Sequence, residues 1–259
     1  MSHTQSNESN PTGSEKQMTI IDHIRELRKA VIVCVLAVLI AFAVILFCGG
    51  DWLLSFMLEP LKDRGVDVVF TNISEYFLTE MKVALLAGII VAFPVVILEL
   101  WLYLRPALYP QEKKVVVLSF FSCLFLFLLG VAFAYFVVLS LAIDFFVTAG
   151  GDLATPMLTI SNYVKFIYSF LLPFGLMFQL PLVCFVFAKI GILKADMMRK
   201  VRKYVIFVIF VVAAILTPPD VISQLLLAIP MMILYEISVW IVRVVKVSKE
   251  RQQTEEEES

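Results

Sequence analysis

The sequence predicts an all-α integral membrane protein with six transmembrane helices, both termini in the cytoplasm and structured outer loops. Of its 259 residues, 61% are hydrophobic and 17% are charged, and the mean hydropathy is +0.93. Soluble domains are roughly 45–50% apolar and about 25% charged. This composition therefore excludes an ordinary soluble enzyme. A third observation, the uneven distribution of Lys and Arg between the two sides of the helices, predicts the orientation.

In chain order, the sequence divides into a polar N-terminal region, a membrane domain and a charged tail. Residues 1–17 are polar and are predicted to be disordered. The membrane domain covers 18–243 and begins with an amphipathic helix at 18–29, whose apolar residues recur at helical spacing. Residues 244–259 form a charged cytoplasmic tail. The six spans are predicted at about 30–48, 83–104, 115–140, 163–188, 204–217 and 221–242.

The fifth span is the shortest of the six. Residues 204–217 give about 21 Å of helix at 1.5 Å per residue, whereas the hydrocarbon core of a bilayer is about 30 Å thick. This span ends at Pro218-Pro219-Asp220, which leaves almost no loop before the sixth. The sequence therefore predicts a tight hairpin of two helices. The difference in length between the fifth span and the hydrocarbon core is accommodated by local thinning of the bilayer or by burial of the span within the bundle.

The outer loops are predicted to form a structured cap. The first one, 49–82, contains an amphipathic segment at 51–58 that is expected to end before Pro60, and a second short helix at 73–82. The second outer loop is broken by Gly150-Gly151 and Pro156. Loops of this length with apolar helical segments of their own are expected to pack onto the ends of the membrane helices.

The Lys and Arg residues orient the predicted helices. Of the 21 in the chain, 17 lie in the N-terminal region, the 105–114 loop, the 189–203 loop and the tail. The other four are Lys62, Arg64, Lys82 and Lys165. Because cytoplasmic flanks are enriched in Lys and Arg, both termini are predicted to be cytoplasmic.

Motifs of catalysis and metal binding are missing from the sequence. No glycine is followed by Lys, so no phosphate-binding GK[ST] loop exists, and neither GxSxG nor HExxH occurs. The four cysteines lie in apolar runs, and the two histidines are His3 and His23. We therefore expect no enzymatic activity, no cofactor and no metal site.

Three polar side chains lie in apolar spans, where an ionisable group costs about 2.5–3.5 kcal/mol on insertion scales. Glu99 and Glu236 lie near the inner ends of their helices, and each either contacts a partner or pairs with the basic loops. Gln179 lies near the middle of its span, between Pro173 and Pro181. It either lines a polar groove in the bilayer or bonds to carbonyls that the prolines leave free.

Two further carboxylates, Glu26 and Glu112, lie on the side predicted to be cytoplasmic. Taken by spacing alone, each is typical of a solvated carboxylate paired with a basic neighbour such as Arg25 or Lys113.

Four segments carry a resemblance to a known family. They are HIRELR at 23–28, RPALYPQEKK at 105–114, FAYFVV at 133–138 and LTPPDVISQLLLAIPM at 216–231. They resemble the TatC family, the multispanning receptor subunit of the twin-arginine protein translocase. The resemblance runs from about Met18 to Arg243, nearly the whole predicted membrane domain.

The resemblance implies a function in protein export across the inner, cytoplasmic membrane. Members of the family recognise signal peptides with an Arg-Arg pair and export folded proteins, together with single-span TatA/TatB-type subunits and the proton-motive force. Self-association in a receptor complex is also implied. Since the net charge is −1, no basic field is expected to attract nucleic acid. An alternative from another class is a secondary transporter or channel for a small solute, but that class favours inverted repeats, and no convincing repeat is present.

The resemblance also implies functional roles for particular residues, which their spacing alone does not indicate. The family's signal-peptide glutamates match Glu26 and Glu112, with Arg28 and Tyr103 at the same site. The polar site of the fourth helix, often Glu in the family, is Gln179 here, which implies a hydrogen-bonding role in partner docking. The family's structural or functional positions in and near the outer loops match Pro60, Pro94 and Asp220.

Overall fold

The computed structural model describes residues 20–104, 113–149, 158–217 and 219–257, and almost all of them are helical. The helices are α1 Ile20–Lys62, α2 Ile73–Leu104, α3 Lys113–Phe133, α4 Ser140–Ala149, α5 Ile160–Met177, α6 Leu180–Lys189, α7 Ala195–Leu216 and α8 Val221–Glu257. A π-helical segment, Ala134–Leu139, joins α3 to α4. Two-residue strands, β1 Val68–Val69 and β2 Leu158–Thr159, pair in parallel.

Five helical stretches of the described chain are long and apolar enough to cross a membrane. They are Ile24–Lys62, Ile73–Tyr103, Leu118–Thr148, Ile160–Lys189 and Val221–Val245. The helix α7 is not among them although it has 22 residues. Its first half carries Arg199, Lys200, Arg202 and Lys203, so only its second half is apolar. The fifth predicted span, 204–217, therefore stays a proposal.

The helices at the start of the chain are longer than predicted. The predicted amphipathic helix, first span and first outer helix are one continuous helix, α1, of 43 residues. Likewise the predicted outer helix at 73–82 is the beginning of α2. The pair Gly49-Gly50 does not break α1, which continues through both residues. A Cβ on Gly50 would meet the end of the Glu80 side chain on α2.

The predicted helix end before Pro60 is wrong, because α1 includes Pro60 and ends at Lys62. A proline inside a helix leaves the carbonyl four residues earlier without its backbone donor. That carbonyl belongs to Phe56, and it accepts a hydrogen bond of 2.8 Å from the hydroxyl of Tyr135. The helix continues past Pro60 because a side chain from the π-helical segment replaces the missing donor.

Later boundaries also differ from the predicted ones. The predicted fourth span is divided at Phe178-Gln179, and Pro181 lies in the first turn of α6, where a missing N–H costs little. The basic stretch before the fifth span is helical, so α7 begins at Ala195. In the same way α8 continues through the predicted tail to Glu257.

The helices pack into a bundle with two distinct ends. The end formed by Lys62, β1, β2, the start of α5 and the turn between α7 and α8 is called the outer end, after the predicted orientation. The opposite one, with Leu104, Lys113 and the start of α7, is called the inner end. The largest buried cluster lies towards the outer end, and its largest fully buried side chains are Leu54, Leu61, Leu86, Leu139, Ile167, Phe170, Phe174 and Leu227.

Candidate functional site

The position of Glu26 follows from the antiparallel pairing of α1 with α2. A Cβ on Gly88 would meet the Phe42 backbone, and one on Gly50 would meet Glu80, so eight residues forward on α1 correspond to eight residues back on α2. Continuing this register sixteen residues back from Phe42 places Glu26 level with Leu104, the last residue of α2. The Glu26 side chain is half-buried there.

The neighbours of Glu26 at the inner end include other predicted site residues. Tyr103 is half-buried in the last turn of α2, and Arg28 is exposed on α1. Glu112 lies outside the described residues, and the next residue in the chain, Lys113, begins α3. Glu26 thus lies at the helix ends that border the segment containing Glu112.

The two predicted glutamates within spans have different surroundings. Glu236 on α8 forms an ion pair of 2.6 Å with the Nε of Arg202 on α7, and both side chains are about half exposed. Because Arg202 engages this carboxylate, pairing with the basic region accounts for Glu236. Glu99 is half-buried on α2 and lies within electrostatic reach of Cys34 on α1.

Gln179 is buried at the break between α5 and α6, with 9% of its surface exposed. Its Nε2 donates to the backbone carbonyl of Cys123 at 3.0 Å, and its Oε1 accepts from the Cys123 thiol at 3.0 Å. Both ends of the amide are therefore occupied by one residue of α3. Of the two alternatives open from the sequence, this geometry supports packing. The acceptor, however, is a carbonyl of α3 and not one of those that Pro173 and Pro181 leave free.

Pro94 and Asp220 occupy positions at which the helix backbone needs help. Pro94 lies inside α2, so the carbonyl of Ile90 lacks its usual backbone donor. Asp220 precedes α8, and its Oδ1 accepts from the backbone N–H of Ser223 at 2.7 Å, as an N-cap does. Its other carboxylate oxygen is buried without a hydrogen-bond partner within the described structure.

The outer end holds two tyrosines that the sequence did not single out as site residues. Besides Tyr135, Tyr163 on α5 donates its hydroxyl to the carbonyl of Met57 at 2.9 Å. The two hydroxyls bind consecutive carbonyls of α1 in the turn before Pro60. Pro60 itself was the only sequence signal for this arrangement, because a proline within a helix implies a carbonyl in need of a donor.

Arg64 joins the same turn to the helix that follows the π-helical segment. Its guanidinium donates to the carbonyl of Pro60 at 2.8 Å, to Ser140 Oγ at 2.6 Å and to the carboxylate of Asp144. The hydrogen bond to Asp144 raises the pKa of Arg64 above its ordinary value, so the guanidinium stays charged. We call Pro60, Arg64, Tyr135, Asp144 and Tyr163 the outer clasp.

The two ends differ in what they can bind. The polar groups of the outer clasp are hydrogen-bonded within the chain, whereas Glu26 offers a half-buried carboxylate at the edge of the bundle. A carboxylate in such a place is suited to a guanidinium, which donates two parallel hydrogen bonds to it. No group of three or more metal-binding side chains occurs in the part of the chain that the structure describes.

Comparison with known proteins gives a consistent family. The family model described as Sec-independent protein translocase protein (TatC) matches residues 22–230. A protein of that name from Carboxydothermus hydrogenoformans is 40% identical over 233 residues, covering 90% of this chain and 96% of its own. The one from Escherichia coli K12 is 35% identical over 231 residues, covering 88% and 90%.

Solved structures agree with the sequence matches. A crystal structure of a twin arginine translocase receptor, TatC, superimposes with a TM-score of 0.81 at 33% identity, covering 86% of this chain and 99% of that one. A second crystal structure of such a receptor, in DDM, gives a TM-score of 0.79 at 35% identity, covering 84% and 98%.

Proposed function

This chain belongs to the TatC family of Sec-independent protein translocase proteins, and on that premise we propose that it is the core receptor subunit of a twin-arginine translocase. In this role it binds Arg-Arg signal peptides and organises the export of folded proteins. Membership in a family of protein translocase components argues against the alternative of a small-solute transporter.

The observation that carries the proposal is the location of Glu26 at the inner end of α1, level with the end of α2. Glu112 directly precedes α3, so both carboxylates belong to the same end of the bundle in this proposal. Each accepts one arginine of the pair. Tyr103 and Arg28 border the site and orient the peptide.

The chemistry of arginine explains why a pair of arginines is recognised. A guanidinium is planar and presents a rigid fork of donors that matches the two oxygens of a carboxylate. An ammonium group is a compact point charge and lacks this fork. Two carboxylates on separate elements therefore discriminate an Arg-Arg peptide from a Lys-Lys peptide.

The membrane topology is part of the proposal. Both termini are cytoplasmic, and α7 is the fifth of six spans of a protein in the inner, cytoplasmic membrane. Its apolar part, residues 204–216, is 13 residues or about 20 Å long, so the bilayer is thinner beside the α7–α8 hairpin.

Partners complete the export pathway. In this proposal the complete translocase also contains TatA/TatB-type single-span subunits and further copies of this chain. The proton-motive force drives the export. Of the intramembrane polar residues, Glu99 is half-buried on α2 and faces α1 near Cys34. In the isolated chain Gln179 binds Cys123, and Glu236 binds Arg202. Docking of a partner on either of them therefore requires exchange of an existing contact.

The test is a binding titration of the purified chain with an Arg-Arg signal peptide. We expect Glu26→Gln or Glu112→Gln alone to weaken binding about tenfold, which corresponds to about 1.4 kcal/mol. Raising the salt concentration weakens binding further, because these sites are only partly shielded.

A matched control is Asp196→Asn, which removes an exposed carboxylate from the inner end of α7. It should leave the affinity for the peptide unchanged. Equal weakening by all three substitutions would show that only the net charge of the inner end matters, and the assignment of Glu26 and Glu112 would then fail.

A further inference from the structure

The start of α7 carries the densest positive charge in the described chain. Residues 189–203 contain six basic residues and a single acid, Asp196. Lys194, Arg199, Lys200, Arg202 and Lys203 are all exposed. The other basic flanks already lie on the same predicted side, and they are enough to set the orientation of the helices. The basic residues at 189–203 are therefore open to a second role.

Most of these charges are not neutralised by the protein. Arg202 is paired with Glu236 on α8. The Nζ of Lys203 lies 5.1 Å from the centre of the Tyr204 ring, an arrangement that leaves its charge available to an anion. Within the described structure, no ion pair is recorded for Arg199 or Lys200. Several positive charges on this surface are therefore available to an external anion.

The helical periodicity of α7 places this surface towards lipid. The buried face of α7 contains Ala195, Met198, Ile209 and Ala213. Side chains three and four residues apart share a face, so Lys200 and Lys203 lie above the exposed side chains of Phe207 and Val211. Those two side chains are 68% and 41% exposed and belong to the apolar half of the helix.

The short apolar half also sets the depth of the basic residues. Residues 204–216 span about 20 Å, which is less than the hydrocarbon thickness of about 30 Å. Tyr204, 62% exposed, is the first of them, and an exposed tyrosine at this position is typical of the level of the lipid headgroups. Lys200 and Lys203 precede it by four residues and by one, which is about 6 Å and about 1.5 Å along the helix axis and matches the depth of the phosphates.

We propose that Arg199, Lys200, Lys203 and Tyr204, here called the basic collar, bind the headgroups of anionic phospholipids. The leaflet is the cytoplasmic one if the proposed orientation holds, and the binding itself does not depend on signal-peptide recognition. A phosphate that carries net negative charge is complementary to these side chains, and the acyl chains then lie along Phe207 and Val211. With the exposed Lys194 and Arg202, the collar belongs to a cluster of five basic residues, and clusters of four or more beside a membrane helix are typical of such recognition.

The experiment uses the purified full chain in detergent, titrated with phosphatidylglycerol or with phosphatidylcholine of the same acyl chains. Native mass spectrometry counts the bound lipids. We expect the wild-type chain to bind phosphatidylglycerol in preference to phosphatidylcholine. Lys200→Gln plus Lys203→Gln should weaken phosphatidylglycerol binding by about tenfold, since each basic residue contributes to attraction by an anionic surface.

Two control variants separate the basic collar from total charge and from folding. Lys82→Gln plus Lys165→Gln removes two exposed lysines from the outer end and should bind phosphatidylglycerol like the wild type. Lys200→Arg plus Lys203→Arg keeps the charge and should retain binding. Equal loss in the outer-end variant, or no loss in the Lys200→Gln plus Lys203→Gln variant, would overturn the proposal.

Two competition arms test the nature of the occupant. Inorganic phosphate at the concentration of the lipid should not displace phosphatidylglycerol, because it lacks acyl chains to contact Phe207 and Val211. Displacement by phosphate would show a simple anion site. Displacement by an equimolar peptide of six glutamates would assign the surface to an acidic protein partner instead, and either result would contradict the lipid proposal. Because no signal peptide is present, failure here leaves the test of Glu26 and Glu112 unaffected.

Discussion

The outer and inner ends of the bundle handle their polar groups in opposite ways. At the outer end, the hydroxyls of Tyr135 and Tyr163 and the guanidinium of Arg64 are bonded to backbone carbonyls of α1. At the inner end, Glu26 and the lysines of the basic collar lie at the surface, half-buried or exposed. The polar groups of the outer clasp are used within the fold, whereas Glu26 and these lysines remain available to ligands.

Because of this difference, we expect the outer end to contribute mainly to the stability of the fold and the inner end mainly to ligand recognition. Substitutions in the outer clasp remove contacts of the folded chain with itself, so we expect them to lower stability. Substitution of Glu26 removes a half-buried carboxylate from the edge of the bundle, and Glu112 is assigned to the same site by the proposal. Substitutions of the two glutamates should therefore change binding while the bundle stays folded.

The largest expected effect concerns which side of the membrane each end faces. In a variant without native cysteines, Asp67→Cys at the outer end should react with an impermeant maleimide in intact cells. Lys194→Cys at the inner end should not, because the basic flanks of a membrane protein stay in the cytoplasm. Both side chains are exposed, and both cysteines should react after permeabilisation. Reaction of Lys194→Cys from outside would reverse the proposed orientation.

Second in size is the loss of arginine recognition when both inner carboxylates are neutralised. Glu26→Gln plus Glu112→Gln should weaken binding of an Arg-Arg peptide about a hundredfold, since two sites each contribute about one decade. The preference of the protein for the Arg-Arg peptide over a Lys-Lys peptide should disappear. Fluorescence titration with both peptides measures this, and the melting temperature should stay that of the wild type. An undiminished preference for Arg-Arg would remove both residues from the site.

A smaller effect is expected when the tyrosines of the outer clasp lose their hydroxyls. Tyr163→Phe removes a buried donor to the carbonyl of Met57, and we expect unfolding in detergent to require about 1 kcal/mol less. Tyr135→Phe should act similarly, because the Phe56 carbonyl then lacks a donor beside Pro60. The exposed Tyr204 gives the control, Tyr204→Phe, with unchanged stability. Peptide binding that falls while stability is unchanged would couple the two ends.

The smallest effect belongs to the ion pair of the outer clasp. The side chain of Asp144 is 57% exposed, and water screens an ion pair at such a site. Asp144→Asn should therefore lower the melting temperature less than Arg64→Gln, which also removes donors to Pro60 and Ser140. Thermal unfolding of the two variants side by side checks this order. A greater loss in Asp144→Asn would make the charge pair, rather than the neutral hydrogen bonds, the main support of the clasp.

The membrane class and the family could be predicted from the sequence, because both depend on local composition and contiguous motifs. Long apolar runs identify membrane helices wherever the chain leads them, and HIRELR and LTPPDVISQLLLAIPM each lie within a single stretch. The resemblance to the TatC family is confirmed by the family match over residues 22–230. The helix ends were harder to predict, since α1 passes through Pro60 with the help of a side chain that lies far along the sequence.

Tertiary structure alone decided which polar groups meet. Tyr135 and Tyr163 bond to carbonyls 79 and 106 residues away, and Gln179 bonds to Cys123, 56 residues away. Periodicity shows which face of a helix is apolar, but it carries no information on which neighbour supplies a donor to a particular carbonyl. That depends on how the helices cross. The sequence therefore determined that this chain is a membrane protein, and its charge distribution predicts an orientation. The packing of the helices determined that Gln179 and the outer clasp are bonded within the chain.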